Sequence, residues 1–515
     1  MVKIRKASTI LIVLFAFSLL YPLLENTRNT YADNASRELS YIIKVDKVGN
    51  ATVNIVFTST GSGNFSIYLP KYEHIIMSVY NGEIEWLQNK SVGYWYFLAT
   101  IRYYSFSDEI TVVFKYNFSW ASLMVDDRGW FMTPLIGTDN DIEVTVNVSF
   151  PNYRKHTYYC PSPIWESDGN FEFKIKNTLN GTRVIILYYL KEKIPEVVTT
   201  QEIKDMKVKV RTPPFYKSFA EKIISILKKS VPYLDYVFCG LPNNVEFRLF
   251  LPKDFPTTLG YVMGEDINVG GKGPVNINLA LIRFMEGYLE TTIIHEYTHL
   301  ALGMIGVEAN NELRWFHEGV AQYLSLIICE KAGVNVTDIK MSLDQGAMSL
   351  SPPFGYLQHW STGPKQGLYY LASYKIVRDL AIRYGGMEFF RKFAIEAKKY
   401  GEIDTNEKLV KVLSKAAGKD LTPYFKNLGF QLIETNNEEE SARDSIELKI
   451  VIGVLLVVVI ALALYILLIE GHRREEYKVC PYCGAKIPSD AVYCPYCGIS
   501  QRDYTYYQFR DIEEI

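Results

Sequence analysis

The stretch TTIIHEYTHLALGMI, Thr291–Ile305, sets two histidines four residues apart around a glutamate. The apolar residues flanking them predict a helix, on which His295 and His299 project from one face, offset by about 40°. Two neutral imidazoles in that arrangement can share one Zn(II), with Glu296 beside the metal to take a proton from its bound water. The chain has seven histidines in 515 residues, which makes coincidence a poor explanation of the spacing.

A catalytic zinc needs a third protein ligand and an open position for water. LRWFHEGVAQYLSL, Leu313–Leu326, provides it: Glu318 follows His299 after 18 intervening residues, room for the first helix to end, a loop through GVEANN, and a second helix to return. His317 is the rival ligand, but it points about 100° away from Glu318 on the same helix.

HEYTH followed by the glutamate of WFHEGVAQY resembles the gluzincin metallopeptidases, in particular the aminopeptidase family whose second motif reads W-x-x-E-G-x-A. The resemblance spans roughly residues 205–435 and is reinforced by YYLASYKIVRDLAIRYGG and GKDLTPYFKNLGF, which are similar to the helices that close this domain in related zinc peptidases. It implies a thermolysin-like α+β catalytic domain, with His295, His299 and Glu318 as zinc ligands and Glu296 as general base. It further implies a tyrosine hydroxyl over the substrate carbonyl, at Tyr370, with Tyr374 one turn on as the alternative; Ser373 stands where the family has glycine. The family captures the substrate's free amine with a glutamate in G-x-M-E-N. Here that motif is altered to GYVMGED, with Glu265 near the equivalent place, so exopeptidase and endopeptidase action both stay open.

The rest of the chain reads as several units, as its length requires. Residues 35–195 alternate apolar and polar positions in ATVNIVFTST, EITVVFKYNF and DIEVTVNVSF, which predicts an all-β, sandwich-like domain. From 205 to 435 a helical period takes over, interrupted by strand-like VEFRLFLP and GPVNINLAL. Net charge is −2, with no excess of basic residues to favour a nucleic-acid partner.

Two apolar segments set the expected topology. Residues 1–32 place Lys3, Arg5 and Lys6 before a short apolar run, as in a signal peptide or an uncleaved N-terminal anchor. Residues 450–469, IVIGVLLVVVIALALYILLI, carry no charge and are long enough for one C-terminal transmembrane helix, preceded by an acidic stalk at 436–449. Arg473, Arg474 and Lys478 would place the following segment in the cytoplasm and the catalytic domain outside, at the cell membrane. Glycosylation triplets at Asn34, Asn50, Asn64, Asn89, Asn117, Asn147, Asn180 and Asn335 all precede the apolar run, consistent with an exported glycoprotein.

In residues 479–499, Cys480 and Cys483 form one C-x-x-C and Cys494 and Cys497 another, the spacing of a closed structural zinc ribbon. The expected cofactors are therefore one catalytic and one structural zinc. A module so small draws its stability from the metal and serves interaction, with a possible cytoplasmic protein partner; a tyrosine-rich tail fills 500–515. Cys160, Cys239 and Cys329 leave one disulfide or free thiols open. The leading expectation is a membrane-anchored zinc metallopeptidase acting on peptides or proteins. The rival is a non-catalytic receptor or sensor with a peptidase-like domain, which would have no need of Glu296.

Overall fold

The computed structural model describes residues 36–432, apart from 72, 177, 253–257 and 361–365, together with 477–479 and 486–488. By contacts the chain falls into two units, Met1–Leu432 and Ile433–Ile515.

Within the first unit, residues 37–189 form three sheets. The seven-stranded one runs Trp165–Ser167, Asn170–Ile175, Val144–Ser149, Arg37–Val45, Ala51–Ser59, Ile110–Phe118, Ile76–Tyr80. Strict alternation makes these strands: in Ala51–Ser59 every second side chain is buried. Their inward residues, such as Tyr41, Ile55 and Phe114, share one core with Phe65 and Ile67 of the three-stranded sheet and Phe131 and Ile186 of the four-stranded one. The β-rich expectation is met, with one departure from antiparallel order: Arg37–Val45 pairs in parallel with Val144–Ser149. Parallel neighbours need a long crossover, which the intervening strands supply.

The second half is built on a five-stranded mixed sheet. Its strands are β1 (Val197–Ile203), β2 (Met206–Thr212), β3 (Asn244–Phe250), β4 (Gly260–Tyr261) and β5 (Pro274–Asn278), in the order β1-β2-β3-β5-β4. Helix α1 (Lys217–Phe238) joins β2 to β3 and α2 (Gly264–Asn268) joins β4 to β5. There follow α3 (Tyr288–Met304), α4 (Arg314–Lys331), α5 (Thr337–Met348), α6 (Gln366–Tyr384), α7 (Met387–Tyr400), α8 (Asn406–Ala417) and α9 (Thr422–Asn427). Strand β4 pairs antiparallel with β5 and closes one edge of the sheet. Helix α3 is buried almost all round, as its apolar sequence requires, and packs against α1, α4 and the sheet. The core of this half reaches into the β-rich region through Leu123, Trp130 and Met132.

In the second unit, β6 (Tyr477–Val479) and β7 (Lys486–Pro488) form a short antiparallel hairpin. Cys480, Cys483, Cys494 and Cys497 lie outside the described residues, as do the segments 1–32, 436–449 and 500–515.

The expected membrane architecture is corrected. Among the described residues no helix is long and apolar enough to cross a membrane, which overturns the fold class with a C-terminal transmembrane helix and the cell-membrane localisation drawn from it. The longest of the described helices, α1, bears Lys217, Glu221, Lys222, Lys228, Lys229 and Asp235. The apolar run 450–469 itself lies outside the described residues.

Candidate metal centre

Local chemistry fixes where α3 begins and how it lies. The Glu290 carboxylate accepts a hydrogen bond from the Gly287 amide at 2.9 Å, tying down the first turn. It also pairs with Lys222 of α1 at 2.9 Å. Thr291, Thr292 and Thr298 donate their hydroxyls to carbonyls one turn back, so none is left buried without a partner. At the far end Gly303 is needed: a Cβ there would lie 2.2 Å from the Ile267 carbonyl oxygen of α2. The connection to α4 is held by Asn310, whose side-chain oxygen accepts from the Leu313 amide at 2.9 Å while its amide donates to the Asp404 carbonyl at 2.7 Å. Trp315 then anchors α4, donating to Asn406 of α8 at 2.9 Å.

This scaffold brings His295, His299 and Glu318 together, one ligand atom from each lying within 4.8 Å of the others. Glu318 Oε2 is 3.2 Å from His295 Nε2 and 3.7 Å from His299 Nε2. Zinc bonds of about 2.0–2.2 Å in a tetrahedral shell put neighbouring donors roughly 3.3 Å apart, so the donor types suit zinc and the spacing about Glu318 Oε2 is close to what it needs. His317 stands outside the cluster; its Nε2 faces the Val307 carbonyl oxygen at 3.3 Å.

From the protein's own groups, the two carboxyls beside this point are shifted in opposite directions. Burial pushes Glu296 above the usual carboxylate range, and the nearby histidines only partly offset it. Burial would raise Glu318 too, but hydrogen bonds from His295 and His299 and their positive charge hold it well below its ordinary value. Burial opposes charge on His295 as well, yet its hydrogen bond to Glu318 and the fields of Glu296 and Glu318 raise it. Burial pushes His317 down to about 3.

Strand β4 runs directly past Glu296. A Cβ on Gly260 would lie 2.8 Å from Glu296 Cγ and 2.9 Å from its Oε1, so the backbone of the sheet edge touches the carboxyl. Gly319 does the same service on the other side: a Cβ would meet the Ser373 carbonyl oxygen at 2.6 Å, and its absence lets α6 lie close against α4. The two candidate tyrosines on α6 have different surroundings. Tyr370 lies among Trp360, with ring centres 5.2 Å apart, Arg314 and Glu318. Burial raises its hydroxyl and the Glu318 charge adds to this, while Arg314 works against it. The hydroxyl of Tyr374 instead donates to Asp344 at 2.8 Å, and Arg378 Nε also reaches Asp344 at 2.6 Å. Glu265 sits exposed on α2, with no side-chain hydrogen bond or ion pair to the three-ligand cluster among the described residues.

One member of the site was missed by sequence reasoning. Arg314 approaches Glu318 Oε1 at 3.5 Å and lies over the Trp360 ring at 5.1 Å. Its position one helical turn before Glu318 was the available signal. Away from the site, Cys160, Cys239 and Cys329 are all free thiols.

Comparison with known proteins gives one family match: residues 479–500 match the zinc-ribbon domain. No curated protein matches the chain. Among solved structures, a crystal structure of an aminopeptidase N family protein from Idiomarina loihiensis is similar over 76% of this chain and 75% of that one, at 12% identity and a TM-score of 0.35. That likeness is too slight to carry weight, and the arrangement around His295, His299 and Glu318 stands on its own geometry.

Proposed function

We propose that this chain is a zinc-dependent metallopeptidase, with His295, His299 and Glu318 holding the metal, Glu296 as general base and Tyr370 as an oxyanion donor. The observation that carries this reading is the convergence of three ligand atoms within 4.8 Å beside a buried glutamate that is not one of them. A purely structural zinc closes its shell with four protein ligands, whereas three leave a position open.

Zinc held there would lower the pKa of a bound water toward about 7 and polarise a carbonyl oxygen. The protein's residues do the rest. Glu296, whose carboxyl burial makes a stronger base, takes the water's proton and passes it to the leaving amine. Tyr370 donates its hydroxyl to the carbonyl oxygen as negative charge develops there. Arg314, beside both Tyr370 and Glu318, orients that hydroxyl and adds positive charge. An extended peptide would reach the site by pairing with β4, whose far edge has no strand partner among the described residues. That mode needs no free terminus, so the reading favours an endopeptidase or a broad peptidase over a strict aminopeptidase.

The test is zinc content and cleavage of a mixed peptide library by the full chain, unaltered and as Glu296→Gln. Cleavage that vanishes in the variant while zinc stays bound supports the reading. Zinc at the site with no cleavage of any peptide favours a receptor, and undiminished cleavage by Glu296→Gln refutes the assigned base.

A further inference from the structure

The open face of the five-stranded sheet carries a concentration of positive charge that the reaction proposed above leaves unused. Residues at the starts of β2, β3 and β5 and in the loop before β5 line a cavity of about 580 Å³, within the range of small-molecule sites. Alternation puts Lys207 and Lys209 of β2 on this face, since Met206, Val208 and Val210 point into the core. The parallel register sets Lys207 beside Asn244 and Lys209 beside Glu246 of β3, and Glu246 beside Pro274 of β5. Arg248 and Lys272 complete the charged lining. Against these four cations stands one lining carboxylate, on a chain whose net charge is −2.

That carboxylate is already satisfied. Arg248 Nε donates to Glu246 Oε1 at 2.6 Å, and Arg211 Nε donates to the same oxygen at 2.8 Å. Lys207, Lys209 and Lys272, by contrast, make no side-chain hydrogen bond or ion pair among the described residues. Glu202, opposite Lys207 in register on β1, makes no ion pair with it and lies outside the cavity lining.

The loop that carries Lys272 is fixed by backbone contacts. Gly271 has φ +69°, and a Cβ there would lie 2.1 Å from the Leu300 carbonyl oxygen of α3, so only glycine lets the loop lie so close. The Gly271 amide donates to the Ile267 carbonyl at 2.9 Å, and the Lys272 amide to the Asp266 carbonyl at 3.0 Å. Lys272 therefore enters the cavity beside β5, while Lys207 and Lys209 enter it from β2, two strands and roughly 10 Å away across the sheet.

We infer that this face binds a small soluble molecule carrying two or more phosphate groups, held by Lys207 and Lys209 at one end and Lys272 at the other. A phosphate carries close to two charges on three acceptor oxygens, which separate ammonium groups can approach from different sides. A planar carboxylate is met best by the fork of a guanidinium. Here Arg211 and Arg248 are both committed to Glu246, and the free cations are all lysines. The inference does not depend on the zinc reading.

The full chain, in about 0.15 M salt to screen unspecific attraction, is titrated by calorimetry with hexanediol bisphosphate and with octanedioate, its dicarboxylate counterpart. One bisphosphate per chain should bind, more tightly than the dicarboxylate. In the triple variant Lys207→Gln, Lys209→Gln, Lys272→Gln its affinity should fall about tenfold, since three exposed ionic contacts of a few-fold each are lost. Lys272→Gln alone, on the loop rather than the sheet, should lose a few-fold. Lys228→Gln with Lys229→Gln, which removes charge from the exposed side of α1, should bind as the unaltered protein does. The bisphosphate should also raise the unfolding midpoint of the unaltered and α1-substituted proteins more than that of the triple variant. Absence of bisphosphate binding overturns the inference, as does equal binding of octanedioate. Full affinity in the triple variant would move the binding elsewhere, the metal centre included, and equal losses in the triple and α1 variants would reduce it to net charge; either result overturns the site.

Discussion

Around Phe57 in the β-rich region, Phe65 stacks at 3.9 Å and Tyr103 approaches edge-on at 5.1 Å, all three nearly inaccessible to water. Around His299, also buried but in the helical half, the neighbours are His295, His317 and Glu318, with Glu296 on the same helix. The first neighbourhood gains from every contact it makes, because burying apolar surface is favourable wherever it happens. The second spends stability, because each buried imidazole and carboxyl must recover its lost hydration from a partner. Glu318 recovers it from two histidines, and Glu296 only in part, so Glu296 is the group whose retention most needs a purpose outside folding.

The most direct way to break this comparison is Glu296→Gln. If the carboxyl is there for proton transfer, turnover should fall about 10²- to 10⁴-fold. Denaturant midpoints should hold or rise, since a costly buried acid has become a neutral amide of the same shape. A variant that lost stability and kept turnover would place Glu296 among structural residues.

Phe57→Ala is the converse case. Truncating a fully buried aromatic should cost about 3–5 kcal/mol in unfolding free energy. Turnover per folded molecule should not change, because nothing in that cluster touches the α3–α4 site. Activity lost in proportion to chemistry rather than to folded fraction would show the two regions to be coupled.

A finer division falls between two tyrosines on α6. Tyr370→Phe should lower turnover about 10²- to 10³-fold while zinc content is retained. Tyr374→Phe should leave turnover near its original value and cost about 1 kcal/mol, the loss of one hydrogen bond to Asp344. Measuring both variants by steady-state kinetics and urea unfolding decides the pair, and the opposite pattern would exchange their roles.

These two tyrosines also mark how far the sequence is legible. His295, His299 and Glu318 could be read from spacing, because helical geometry alone puts four-apart residues on one face and a second helix can return within 18 residues. Strands such as Ala51–Ser59 could be read from alternation. Tyr370 was placed ahead of Tyr374 by the resemblance alone; helical period does not separate them, since both sit in one helix and the rotation of α6, set by Gly319 against Ser373, decides which faces Glu318. Arg314 was hidden for the same reason: its role depends on Trp360, which follows it by 46 positions and reaches it through tertiary packing. The parallel pairing of Arg37–Val45 with Val144–Ser149 was likewise invisible to local pattern, because alternation fixes the face of a strand and not its neighbour. The apolar run 450–469 shows the reverse hazard, a strong local signal for which the described helices offer no counterpart.

The smallest effect tests the two carboxyls against each other through pH, in metal-free protein. Glu318 has a folded pKa below its ordinary 4.5, so the native state holds fewer protons than the unfolded state between those two values. Its contribution to stability is complete above about pH 4.5 and is lost as pH falls through the lowered folded value. Glu296 has a folded pKa above 4.5, so here the native state holds more protons. Its contribution is complete below about pH 4.5 and is lost as pH rises through the raised value. Urea unfolding across the acid range should therefore respond in opposite senses to the two amides: Glu318→Gln should flatten the fall in stability at the acid end, and Glu296→Gln should flatten the fall on the way toward neutrality. The same slope change in both variants would mean that the pair titrates as one unit, and Glu296 would then lose its separate standing as the group poised to move a proton.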